Sequence, residues 1–298
     1  MAVPQNGIFA LGTTSHTYLE LDIRPGVRPA SLVRTMAALR EPRRTMGGVN
    51  LVTGFRPELW AAVQPADAPR GLTGFNAPRT GIEGKTLPAT QHDAVLWIAG
   101  AAYDAVFDLA RGIVAALASK ATLANEIVGW PYHADLDLTG FIDGIENPPL
   151  AEAAQGAVIP HGQPGEGGSV LLLQMWEHDG GAWESLPVHE REAAIGRRRH
   201  APGAELDPQP ASSHVARTNQ DQFGQIFRRN VAYGNITNHG TVFVGFSRDR
   251  DRLEAMLDSM IGADGTEHDR LTDFTHAITG AYYFVPASEA LAACAAHP

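Results

Sequence analysis

The chain has 298 residues, 44% hydrophobic and 19% charged, and its apolar fraction near the globular norm of ~45–50% excludes a disordered, collagen-like or low-complexity protein. At roughly 150 residues per domain the length suits one large domain or two ordinary ones. A single cysteine, Cys294, excludes a disulfide framework and a Cys-rich zinc or iron–sulfur site, and a net charge of −10 with no long basic run argues against nucleic acid as a partner.

The start of the chain has no basic stretch followed by an apolar one, so no signal peptide is expected. No window approaches the ~18 apolar residues of a membrane helix, and the expectation is a soluble, cytoplasmic protein with no membrane partner. Residues 17–23 alternate, with Leu19, Leu21 and Ile23 on one side and Tyr18, Glu20 and Asp22 on the other, the period of a half-buried strand. A helix follows at about 29–40, then alternation at Val49, Leu51 and Thr53. After a Gly/Pro-rich stretch, 94–98 reads as a strand. Tyr103, Val106, Phe107, Ala110, Ile113, Val114 and Leu117 then recur every three or four residues, as on an amphipathic helix. A weaker strand at 124–130 completes a βαββαβ order.

The second half repeats that order without visible sequence identity. Residues 170–176 form an apolar strand run and 184–195 a moderate helix; 225–231 and 241–246 are strands. Leu253, Met256, Leu257, Met260 and Ile261 make a helical stripe ended by Gly262, and 281–285 is the last strand. The order βαββαβ is that of an α+β, ferredoxin-like fold with an antiparallel sheet. Two such halves are expected, 1–135 and 136–298. The stretches 63–92 and 196–224 fall outside this minimal plan; long loops in a compact domain are usually functional or mobile.

The densest polar constellation is 131–148, where Asp135, Asp137, Asp143 and Glu146 lie within twelve positions. It reads as a turn-rich linker, as a carboxylate site for Mg²⁺ or Ca²⁺ without the order of a calcium loop, or as a catalytic carboxylate on a glycine-flanked loop. A second constellation joins Ala211-Ser-Ser-His214-Val-Ala-Arg217 to Arg228-Arg229-Asn230. A third is Leu271-Thr-Asp273-Phe-Thr-His-Ala-Ile-Thr-Gly280.

Together these segments resemble the dye-decolorizing peroxidase family, in its cytoplasmic bacterial branch often called B-type. Gly140-Phe-Ile-Asp143-Gly144 matches the family's G-x-x-D-G motif, extended by Glu146-Asn147-Pro148. His214-Val-Ala-Arg217 matches the proximal-histidine segment, Arg228-Arg229-Asn230 with Tyr233-Gly234 the distal arginine segment, and 271–286 the C-terminal strand and its approach. The resemblance spans essentially the whole chain, and the family's fold is a pair of ferredoxin-like halves.

The resemblance implies one heme b per chain, held mainly by the C-terminal half, with His214 as the iron ligand and Asp273 as the carboxylate partner of its other ring nitrogen. It implies Asp143 as the acid–base for H₂O₂, Arg228 as the group stabilising charge as the O–O bond breaks, and Asn230 as a positioning residue. Arg229 either meets a heme propionate or faces solvent, and the short interval after His214 leaves it a second candidate for the functional arginine. The basic cluster 196–200 reads as a solvated loop or an anion contact, while Phe227, Phe246 and strand 242–246 are candidate heme walls. Trp60, Trp97, Trp130, Trp176 and Trp183 are candidate electron relays, each also a packing residue. Ile145 stands where the family often has Thr. The expected activity is reduction of H₂O₂ through a high-valent iron intermediate, with oxidation of small organic reductants such as dyes and phenols. The alternative is a heme-binding or heme-handling protein. A homo-oligomer is expected, without an encapsulin-targeting tail.

Overall fold

In the computed structural model, residues 2–42, 48–199 and 203–296 are described; His200, Pro202 and the last two residues, parts of segments singled out above, lie outside them. The first half runs β1 (Ser15–Ile23), α1 (Pro29–Ala37), β2 (Val49–Phe55), α2 (Pro57–Val63), β3 (Arg79–Thr80), β4 (Thr86–Leu87), β5 (Ala94–Gly100), α3 (Tyr103–Leu117) and β6 (Ala121–Trp130). Next come α4 (Ala153–Ala157), β7 (Ser169–His178), α5 (Gly180–Ser185), α6 (Val188–Ile195), α7 (His214–Arg217) and α8 (Gln220–Phe223). The chain continues through β8 (Phe227–Arg228), β9 (Val231–Gly234), β10 (His239–Ser247), α9 (Arg250–Ile261), β11 (Thr275–Ala277), β12 (Ala281–Val285) and α10 (Ser288–Ala296). Among the described residues no helix is long and apolar enough to cross a membrane.

The fold is mixed α and β with antiparallel pairing. The first four long strands lie in the order β2-β5-β1-β6 and the second set in the order β12-β7-β10-β9. In both, the first and third strands in chain order are central, the second lies beside the third and the fourth beside the first. Two short seams join the sets. β6 meets β9 at Gly129–Tyr233 and Trp130–Ala232, and β12 meets β2 at Phe284–Phe55, so the eight strands close on themselves. At the first seam a β-carbon on Gly129 would lie 2.5 Å from Val231 Cγ2, so only glycine admits this approach.

Closure explains a difference from the sequence reading of β1. Leu19 and Leu21 pack against α1 and α3, but Tyr18 and Glu20 are as deeply buried, because the second set of strands covers the face that alternation alone would give to water. Tyr18, Val52 and Trp97 there meet Leu171, Leu173, Val244, Phe246 and Tyr283. Glu20 is tolerated inside because Tyr283 Oη donates to it at 2.6 Å and Asn125 Nδ2 at 2.8 Å.

In the second half the outer face is covered by α9, where Leu253, Met256, Leu257 and Ile261 meet Val170, Leu172 and Trp176. Asp249 caps this helix by accepting from Arg252 N at 3.2 Å, and Gly262 ends it at φ +63°, as the stripe predicted. The expected helix 184–195 is interrupted by Leu186-Pro187 into α5 and α6, and the expected strand 225–231 is split into β8 and β9. The stretch 63–92 is a brace: Phe75 and Leu87 enter the α9 core, and Arg79 pairs with Glu254 and Asp258 on α9.

His16, also inside the closed strands, accepts from Trp97 Nε1 at 3.2 Å, and burial lowers its pKa from 6.5 to about 4. The unfolded chain therefore takes up this proton first: stability is complete above pH 6.5 and is lost as pH falls toward 4. A shift of this size corresponds to about 3 kcal/mol. Urea unfolding of His16→Gln should show a correspondingly smaller loss of stability between pH 7 and 4.5 than the parent; parallel losses would contradict it.

Candidate active site

Side chains alternate along β7 and β10, so what faces away from the closed strands is dictated by register. Leu172, Gln174, Trp176 and His178 on β7, with Thr241 and Phe243 on β10, form one wall of a cavity whose far wall is α9. Its empty volume is about 1210 Å³, part of it open to solvent. Loop 137–146, α7 and Arg228 complete the lining.

His214 opens α7, immediately after Ser213, whose hydroxyl caps the turn by accepting from Ala216 N at 3.3 Å. Its Nδ1 lies 2.6 Å from Asp269 Oδ2. The Asp269 side chain is fully buried, and its other oxygen accepts from Leu271 N at 2.9 Å. Its backbone is held too, N donating to Met260 O and O accepting from Thr272 Oγ1. A carboxylate so fixed holds the proton on Nδ1 and leaves Nε2 as the free ring acceptor. Asp273, the expected partner, instead faces Lys85 at 2.5 Å and His268 at 3.0 Å; burial pushes its carboxyl up, but the hydrogen bonds from Lys85 and His268 outweigh it and hold the carboxyl below the usual range. The 3-10 turn at Arg270–Asp273 separates the two acids, sending Asp269 inward and Asp273 to the surface.

Asp143 sits between Gly140 and Gly144, at φ +82° and +87°, conformations of tight turns that a β-carbon would strain. A β-carbon on Gly140 would also meet the Arg199 guanidinium. Asp143 N donates to Asp135 O at 2.8 Å, and Asp143 Oδ1 stands 4.0 Å from Arg228 Nη2. Arg228 is placed by Asn147, whose Nδ2 donates to Arg228 O at 2.9 Å while its Oδ1 accepts from Arg228 N at 2.8 Å. Arg228 Nε is buried without a protein partner among the described residues. Asn230 Oδ1 accepts from Val244 N at 3.0 Å, standing in for a ladder carbonyl and splitting β8 from β9, and Asn230 also lines the cavity.

Arg229 does not take part. It points the other way, donating to Ile8 O at 2.9 Å, Ala10 O at 2.7 Å and Thr13 Oγ1 at 3.2 Å, with its guanidinium 5.0 Å from the Trp97 ring centroid. Neither a propionate contact nor solvent exposure holds for it. Phe227 and Phe246 likewise face the closed strands, and of their neighbours Phe243 walls the cavity. In the basic cluster Arg197 reaches the cavity but is engaged by Glu146, Glu205 and Gly203 O. Trp60 and Trp97 are fully buried, Trp183 packs with Phe141 and Phe274, Trp130 is at the surface and Trp176 lines the cavity.

Asp135, Asp137 and Asp143 do not form a cation site: among the described residues no three His, Cys, Asp or Glu side chains are grouped to hold a metal. Sequence reasoning missed Asp269 and Gln220, and named Asn147 within the motif without giving it a role. Gln220 ties Glu146 O to Ile226 N at 3.0 and 2.9 Å. For Asp269 the available signal was its place as the cap of a turn, which Asp273 imitates.

The class defined by a histidine on a buried carboxylate and a carboxylate–guanidinium pair, all on one apolar cavity, is matched by comparison. The family model described as Dyp-type peroxidase, C-terminal, matches residues 134–290. A dye-decolorizing peroxidase of Brevibacterium linens is 34% identical over 82% of this chain and 68% of its own. One from Mycobacterium tuberculosis is 32% identical over 86% and 78%. Among solved structures, DypB from Rhodococcus jostii RHA1, in a variant in complex with heme, superposes at a TM-score of 0.86 with 32% identity, covering 95% of this chain and 97% of that one. The chain belongs to the Dyp-type peroxidase family.

Arg229→Leu would leave the buried carbonyl of Ile8 and the half-buried one of Ala10 without this donor, and a loss of about 3 kcal/mol in urea unfolding is expected. An unchanged midpoint would contradict the structural role assigned to it.

Proposed function

We propose that this chain is a heme peroxidase that reduces H₂O₂ and oxidises organic one-electron donors such as dyes and phenols, with one heme b held mainly by the C-terminal half. The observation that carries the reading is the pairing of His214–Asp269 and Asp143–Arg228 on a single cavity. The residues fit the group. Leu253, Met256, Leu257 and Phe243 supply apolar walls, and among the described residues His214 keeps Nε2 free and Arg228 Nε is an unpaired buried donor.

His214 Nε2 would hold the iron, and Asp269 would keep the Nδ1 proton, adding imidazolate character to the ligand. Heme, when bound, supplies the redox centre that gives electrons to peroxide and regains them from the donor. Asp143 would take a proton from one peroxide oxygen on its carboxylate and return it to the other, a base turned acid. Arg228 would donate to the oxygen that becomes negative as the O–O bond breaks, and Asn230 would orient the peroxide. A protein that only carries heme has no use for Asp143 and Arg228 brought to 4.0 Å. The strand order common to both sets supports reading each as a ferredoxin-like half, 1–135 and 136–298. We place the enzyme in the cytoplasm as a homo-oligomer, as its resemblance to the cytoplasmic branch implies.

An ultraviolet–visible spectrum before and after H₂O₂ tests the reading; a chain that cannot be reconstituted with heme would refute it. In stopped-flow reaction with peroxide, Asp143→Ala and Arg228→Leu should each be slower by about 10²–10³-fold. Parental rates in both would refute the assigned roles. Asp269→Asn should raise the iron reduction potential, read by spectroelectrochemical titration, while Asp273→Asn should not.

A further inference from the structure

A second recess opens beside the main cavity, with about 600 Å³ of empty space, part of it open to solvent. Thr139, His178 and Thr275 line both spaces and so form the wall between them. The recess is otherwise bounded by the rings of Tyr132, Trp183 and Phe274, by His239 and by the exposed Glu184.

A chain of three side chains runs through that wall. Asp137 lines the main cavity, and its Oδ2 accepts from Thr241 Oγ1 at 2.5 Å. Since that hydroxyl spends its proton on the carboxylate, it accepts from His178 Nε2 at 3.2 Å. The tautomer follows: Nε2 carries the proton, and Nδ1 is an acceptor with no partner among the described residues. Asp137 Oδ1 is occupied by Thr139 N at 2.8 Å, so Oδ2 is the end of the chain. Burial lowers the His178 pKa, opposed by Asp137 and aided by His239, which favours the neutral ring.

We propose that this recess is where a small phenol is oxidised, and that His178, Thr241 and Asp137 carry its proton into the main cavity. The inference rests on the peroxidase reading and adds the place where such a phenol sits and the path of its proton. Aromatic walls suit a single ring, Nδ1 accepts one hydroxyl, and Glu184 at the mouth repels sulfonated, anionic dyes. Each phenol loses one electron to the oxidised enzyme and one proton to His178 Nδ1. The Nε2 proton moves to Thr241 and the Thr241 proton to Asp137, which gives it up to the main cavity; a turn of the imidazole and of the hydroxyl then restores Nε2–H and a free ring acceptor before the second phenol enters. Two phenols supply two electrons and two protons, which with one H₂O₂ give two waters and two phenoxyl radicals.

Calorimetric titration of the heme-loaded protein with 2,6-dimethoxyphenol, without peroxide, tests the site. Glu184→Trp and, from the facing loop, Leu138→Trp should each weaken binding at least tenfold; parental affinity in both overturns the site. For the relay, Thr241→Val should lower kcat for this phenol about tenfold with KM within twofold, and Thr241→Ser should restore it. A Thr241→Val kcat equal to the parent overturns the relay. Absence of any peroxide-dependent turnover in the parent would overturn the peroxidase reading instead, a failure that calorimetry, needing no peroxide, tells apart.

Discussion

β7 hydrogen-bonds β10 along one edge and β12 and β11 along the other, and its side chains alternate between two environments. Leu171 and Leu173 enter the core inside the closed strands, while Leu172, Gln174, Trp176 and His178 face the cavity. A slip of one residue would exchange the two sets, driving Gln174 and His178 into an apolar core. Core and cavity are thus two faces of one register, and every functional position on β10 inherits it.

The same period separates Arg228 from Arg229. Adjacent residues on an extended chain point to opposite faces, so one arginine enters the cavity beside Asp143 and the other is folded under the N-terminal segment against Trp97. Their partners differ accordingly. Arg229 is satisfied by carbonyls and serves stability. Arg228 is held by its backbone through Asn147, which leaves its side chain free for charge that arises in the cavity.

The carboxylates enclosed elsewhere in the fold are paired on both oxygens. Asp269 spends its two oxygens on His214 and Leu271 N, Glu20 on Tyr283 and Asn125, and Asp137 on Thr139 and Thr241. The proposed roles differ because of what lies beyond the pair: a cavity beyond His214 and Asp137, packed strands beyond Glu20.

The sequence by itself determined the element order, since β1, β7, α3 and α9 carry periodic apolar patterns strong enough to read locally. It also determined the chemistry-bearing segments around Asp143, His214 and Arg228, because turn glycines and short polar motifs are local features. Only the tertiary structure decided that Tyr18 and Glu20 are interior, since burial of β1's second face depends on strands more than a hundred residues away. It alone chose Asp269 over Asp273, which are equivalent as residue types and four positions apart, because a 3-10 turn and the packing of α7 against α9 set which carboxylate reaches the imidazole. The wall shared by the cavity and the recess was equally illegible: Asp137, His178 and Thr241 belong to three separate segments, and hydrogen bonding between them exists only once β7 and β10 are paired.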